Sequence, residues 1–190
     1  MTDMLLLARA YDFAARMHAG QTRKGEAAEP YINHPCEVAD LLARACGGAD
    51  AVLIAGGVLH DTVEDTDATR DDLAGLFGDE IATLVMEVSD DKSLPKAERK
   101  RLQIQHAPHV SAHAKMLKIA DKTSNLRSLA ASPPADWPAA RCRDYIDWSN
   151  AVVAGCRGHN PWLEGIFDAA VVEARSALKL SSMAEGSGTA

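Results

Sequence analysis

The sequence predicts an all-α fold. Three observations carry the prediction. No segment shows sustained apolar–polar alternation, Ala and Leu are abundant while aromatics are sparse, and apolar residues recur at three- and four-residue spacing between Gly and Pro stops. The 190 residues suffice for one ordinary domain with a real core. Residues 1–180 read as that single domain, and the small polar stretch 181–190, "SSMAEGSGTA", is expected to be disordered.

Each element follows from local pattern. Residues 3–19 place Leu6, Ala10, Phe13, Ala14 and Met17 on one helical face, and Gly20 is the expected stop. "QTRKGEAAEPYINH" is a polar loop, compatible with a small β-hairpin near residues 21–33. Pro35 suits the first turn of a helix that carries Val38, Leu41, Leu42 and Ala45 and closes at Gly47. Asp50 is placed to cap an apolar helix over 51–63. Thr69 and Asp72 form an N-terminal signature for the next helix, which stops at Gly78. A helix over 79–89 follows with Ile81, Leu84, Val85 and Val88. Pro95 opens a charged helix over 95–106, and a longer one is expected over 111–130. The prolines of "SPPADWP" make a loop, and two helices follow at about 138–156 and 161–180.

Composition narrows function. The formal net charge is −7, which argues against a nucleic-acid-binding surface. No apolar run is long enough to span a bilayer. The opening "MTDMLLLARAYDF" lacks a basic leader and is not expected to act as a signal peptide. Cys36, Cys46, Cys142 and Cys156 are scattered, without CxxC spacing, as in a reducing compartment. The expectation is a soluble, cytoplasmic protein.

The chemistry concentrates in "GGVLHDTVEDTD", where a nearly unbroken apolar run leads into an imidazole and three carboxylates. On a continuous helix His60 and Glu64 share one face, and Asp61 and Asp65 form the same pairing about 100° round. A solvated acidic helix end would look the same. Two further positions weigh against that reading. His34 stands at a helix start in "YINHPCEV", and Asp121 lies between Ile119-Ala120 and Leu126, where a charge needs a partner. Two imidazoles and two carboxylates suit a divalent transition ion, Mn²⁺ or Fe²⁺ by ligand softness, with Zn²⁺ also able to bind. Such an ion would balance the buried charge and lower the pKa of a coordinated water.

At these residues the sequence resembles the HD-domain metal-dependent phosphohydrolases. More narrowly, it resembles the small alarmone hydrolases related to the hydrolase half of RelA/SpoT-type enzymes. The matching text is "HAGQTRKG", "PYINHP", "LHDTVEDT", "LFGDEIATLV", "SDDKSLPKAERKRLQ" and "LKIADKTSNLRSL". The resemblance implies an HD-domain helical bundle that removes the 3′-pyrophosphate of guanosine tetraphosphate (ppGpp) with Mn²⁺, releasing GDP and pyrophosphate. It implies His34, His60, Asp61 and Asp121 as metal ligands, and Glu64 and Asp65 as the pair that positions or activates the water. It implies Arg23, Lys24 and Asn125 as nucleotide contacts. Lys92, Arg141 and Tyr145 are further candidates for lining the site, with surface or packing roles as the alternative. No synthetase domain is expected.

Thr123 and Ser124 depart from the pattern, which often carries large side chains there. Their small polar character is expected to alter nucleobase packing beside Asn125. It keeps a second substrate class open, another ribose-phosphorylated nucleotide such as NADPH. A non-catalytic helical binding module is the third reading.

Overall fold

The computed structural model describes residues 2–179; the tail expected at 181–190 lies outside them. Ten helices follow in order among the described residues. They are α1 (Asp3–Met17), α2 (Asn33–Ala45), α3 (Ala51–Leu59), α4 (Thr62–Asp65), α5 (Arg70–Phe77), α6 (Asp79–Val88), α7 (Lys96–His106), α8 (Ala112–Ala131), α9 (Ala139–Ala154) and α10 (Pro161–Ala177).

Side-chain caps set the starts of four of these helices. The Asp50 carboxylate accepts from the Leu53 amide at 2.9 Å, and Thr69 and Asp72 make a reciprocal capping box. Ser111 and Asn160 cap α8 and α10 in the same way. Gly78 adopts φ +94°, a left-handed conformation that ends α5 and lets the chain turn directly into α6.

One helix does not run as expected. The 51–63 segment breaks at His60-Asp61 into α3 and the single turn α4. Side chains take carbonyls at the break. His60 Nδ1 meets the Gly57 carbonyl at 2.8 Å, and Thr62 Oγ1 donates to the Leu59 carbonyl at 2.7 Å. The expected hairpin is likewise smaller, reduced to one antiparallel bridge between Thr22 and Pro30.

Two apolar clusters form the interior. One surrounds α8 and includes Leu117, Ile119, Leu126, Ile146 and Phe167. The other joins α1, α3, α5 and α6 through Ala10, Ala14, Val58, Leu59, Leu73 and Ile81. Each fully buried Leu, Ile or Phe stabilises the fold by about 1.5–3 kcal/mol. Helices α2 and α3 contribute to both clusters, and both pack on α8. Close approach at α3 depends on its paired glycines: a Cβ on Gly56 would stand 2.5 Å from Leu84 Cδ2, and one on Gly57 2.7 Å from Leu42 Cδ1. The start of α2, the end of α3 and the middle of α8 therefore converge. By contrast α7 buries no residue, so its place on α9 is not explained by an apolar face of its own.

Candidate metal centre and adjoining cavity

The convergence brings together residues far apart in sequence. His34 is the second residue of α2, His60 and Asp61 form the α3–α4 break, and Asp121 sits midway along α8. His34 Nε2 lies 3.4 Å from Asp61 Oδ2 and 3.3 Å from Asp121 Oδ1. His60 Nε2 lies 3.1 Å and 3.9 Å from the same two oxygens. Two donors each about 2.1 Å from a divalent ion stand roughly 3.0–3.4 Å apart, so these separations suit shared coordination. His34, His60 and Asp121 have donor atoms all within 4.8 Å of one another. Asp61 adjoins both imidazoles but falls outside that mutual set.

The donors also test the fit. His60 Nδ1 faces a carbonyl, which only accepts, so Nδ1 is a donor, and in the neutral imidazole Nε2 offers its lone pair to the centre. That buried Nε2 has no hydrogen-bond partner, since Asp61 Oδ2 is near but not aligned with it. An orphaned imidazole nitrogen ringed by carboxylates is what a cation satisfies. The residues therefore fit a divalent ion.

Electrostatics at the centre are tightly coupled. Burial alone would raise the Asp61 pKa, but His60 and His34 outweigh it and hold the carboxyl well below its usual range. Burial also opposes ionisation of Asp121, and there Lys122, His34 and His60 outweigh it. Lys122 donates to Asp121 Oδ2 at 2.8 Å and lies over the Trp148 ring at 4.5 Å.

Tyr31 is a site residue that the sequence reading did not single out. Its hydroxyl donates to Asp61 Oδ2 at 2.7 Å and lies 3.2 Å from Asp65 Oδ2. Burial, then the Asp61 charge, drive its pKa far up, so it stays a donor. The available signal was its place in "PYINHP", three residues before His34.

Glu64 and Asp65 part company. Glu64 Oε2 accepts from the Asp90 amide at 3.0 Å, with Arg99 3.6 Å from its other oxygen. Burial raises its pKa. Asp65 is paired with Lys92, and its backbone carbonyl accepts from Gln21 at 2.9 Å. Both carboxylates line a small cavity with His34, His60, Asp61 and Asp121. Asp65 also lines a much larger one of about 750 Å³.

That larger cavity takes in Arg23, Lys24, Asn125, Arg141 and Tyr145, but not Lys92. Arg23 donates to Asn125 Oδ1 at 3.0 Å, and Asn125 donates to Asp121 Oδ1. Arg141 stacks over Trp137 at 4.4 Å, and Tyr145 packs between Trp137, which it meets edge-on, and a tilted Trp148. Helix α7 adds Lys96, Arg99 and Lys100, cations absent from the expected set although they lie within the quoted "PKAERK". A helix that buries none of its residues yet lines a cavity with cations is explained by what it presents, not by what it buries. The volume is ample for a nucleotide-sized ligand.

Thr123 and Ser124 do not act where expected. Thr123 is fully buried and donates to the Ile119 carbonyl, and Ser124 lies beneath His34. Neither lines the large cavity. Helical geometry turns them about 100° or more from Asn125, which sequence adjacency does not reveal.

The chain matches the family described as HD domain over residues 10–144. It is 46% identical over 167 residues to the guanosine-3′,5′-bis(diphosphate) 3′-pyrophosphohydrolase MESH1 of Xenopus tropicalis, covering 88% of this chain and 93% of the relative. It is 49% identical over 158 residues to the human protein of the same name, covering 83% and 88%. A solved structure of a metazoan orthologue of SpoT, described as hydrolysing ppGpp, superposes with a TM-score of 0.85 at 40% identity, covering 88% of this chain and 94% of that one. Among the described residues no helix is long and apolar enough to cross a membrane.

Proposed function

The chain belongs to the HD-domain family, among the MESH1-type hydrolases, and from that premise we infer that it is a guanosine-3′,5′-bis(diphosphate) 3′-pyrophosphohydrolase. Water adds to the phosphorus next to the ribose 3′ oxygen, that P–O bond breaks, and GDP and pyrophosphate leave. Membership sets aside the reading as a non-catalytic module. The burial of Thr123 and Ser124 removes the sequence feature that favoured a different nucleotide. We read residues 1–180 as one hydrolase domain, and the four free cysteines agree with a cytoplasmic setting.

One observation carries the mechanism: an orphaned His60 Nε2 among two carboxylates and a second imidazole, beside a cavity walled by cations. In this reading His34, His60, Asp61 and Asp121 hold the divalent ion, Mn²⁺ by the mixed nitrogen and oxygen donors, with Fe²⁺ and Zn²⁺ as alternatives. When bound, the ion supplies Lewis acidity toward water and the phosphoryl group.

The chain's own residues do the rest. Asp65 borders both cavities, which supports it as the group that takes the water's proton. Glu64 is engaged by Asp90 and Arg99, which supports an anchoring role for it. Tyr31 orients Asp61 and Asp65 together. Arg23, Lys24, Lys96 and Lys100 neutralise phosphate oxygens, while Arg141, Trp137 and Tyr145 offer flat faces to the nucleoside. Asn125 couples the Arg23 clamp to Asp121. The test is incubation with ppGpp and Mn²⁺, with NADPH as comparator. GDP and pyrophosphate in equal amounts are expected; no turnover by folded, metal-loaded protein overturns the assignment.

A further inference from the structure

We propose that Ser124, Glu37 and Arg127 form a positioning relay that presents the His34 Nε2 lone pair to the metal centre. The proposal rests on the reading of His34 as a ligand. Its basis is a direction of hydrogen bonding that leaves one tautomer. Arg127 Nη1 donates to Glu37 Oε1 at 2.8 Å, so the carboxylate is held by a cation. The other oxygen, Oε2, accepts from Ser124 Oγ at 2.7 Å. A hydroxyl has one proton, and here it is spent on a group that only accepts. Toward His34, Ser124 Oγ is therefore an acceptor, 2.8 Å from Nδ1. In the neutral imidazole Nδ1 therefore holds the proton, and Nε2, facing Asp61 and Asp121, is the nitrogen that offers the lone pair.

Burial makes the relay matter. Ser124 is 1% exposed and His34 3%, and the Ser124 hydroxyl is the group that meets His34 Nδ1. His34 and Glu37 are one turn apart on α2, and Ser124 and Arg127 one turn apart on α8. The relay thus joins the two helices at the height of the ligands. His60 meets the same need differently, through the Gly57 backbone carbonyl. That bond does not depend on a side chain, whereas orientation of His34 does. The relay faces a second cavity of about 200 Å³, on which Glu37, Ser124 and Arg127 all border.

Three variants test it without nucleotide, by calorimetric titration of the full chain with Mn²⁺. Loss of such a supporting partner typically weakens metal binding roughly 10- to 100-fold. Ser124→Ala is expected to show that loss, and Ser124→Thr, which keeps the hydroxyl, to bind within about threefold of the unaltered protein. Glu37→Ala frees the Ser124 proton to turn toward Nδ1 and should fall between them. Nitrogen-15 NMR of the unaltered Zn²⁺-loaded chain gives an independent readout should Ser124→Ala not fold. A proton on Nδ1 of His34 is expected, and a proton on Nε2 overturns the relay. Wild-type affinity in Ser124→Ala, or equal losses in Ala and Thr, also overturns it. If the unaltered protein binds neither ion, the metal centre itself fails and takes the relay with it.

Discussion

Tyr31→Phe isolates one hydroxyl at the centre. The ring keeps its place against His18 at 4.8 Å and His34 at 5.9 Å between centroids, so packing changes little. What is lost is a donor that touches both Asp61 and Asp65. A hydrogen bond to a charged group contributes about 1.5–3 kcal/mol. The 2.7 Å bond to Asp61 belongs in that range, though His34 and His60 remain beside that carboxylate and compensate part of it. The 3.2 Å contact to Asp65 is weaker. A combined effect of roughly 1.5–3 kcal/mol on the reacting arrangement corresponds to about a 10- to 150-fold fall in kcat. KM for ppGpp should stay within about threefold, because the large cavity's cations are untouched. The assay is steady-state pyrophosphate release at saturating Mn²⁺, with thermal melting to verify the fold. A kcat within twofold of the parent would refute the argument that Tyr31 organises the two carboxylates.

Other outcomes follow from the same geometry. Asp65→Asn should retain Mn²⁺ yet lose about 10²-fold or more in turnover, and unchanged turnover would remove Asp65 from the mechanism. A Cβ on Gly25 would stand 2.3 Å from the Ser132 carbonyl oxygen, so Gly25→Ala must displace the loop that carries Arg23 and Lys24. KM should rise about tenfold, more than kcat falls; kinetics with an unmoved KM would detach this loop from the nucleotide. Burial would lower the His60 pKa, but Asp61, Asp121 and the Gly57 carbonyl outweigh it and hold it at about 9. A proton must therefore leave for metal to bind, and apparent Mn²⁺ affinity should fall by up to roughly tenfold per pH unit below that value. Calorimetry across neutral pH measures this, and a flat profile would exclude His60 as a ligand. In the metal-free protein the sign reverses: the raised pKa stabilises the fold fully below the usual 6.5, and that contribution is lost as pH rises through about 9.

The helices were legible because their signals are local. Asp50, Thr69 and Gly78 act on neighbours within one turn, so spacing alone marks where α3, α5 and α6 begin or end. The candidate ligands were legible for a related reason. An aspartate such as Asp121 inside an apolar run announces a buried charge, and a buried charge requires a partner. The direction in which Ser124 points was not legible, since it depends on how α8 is rotated against α2.

From the sequence alone came the helical class, several capped boundaries and the candidate residues for one cation site. Periodicity and the cost of unpaired charge act along the chain itself, so both can be read there. The tertiary structure alone decided that Asp65 rather than Glu64 borders the larger cavity, that Tyr31 meets both Asp61 and Asp65, that α7 lines that cavity while burying no residue, and that Ser124 meets the His34 ring. Each of these depends on the packing of one helix against another, and that relation becomes definite only when the apolar faces close together.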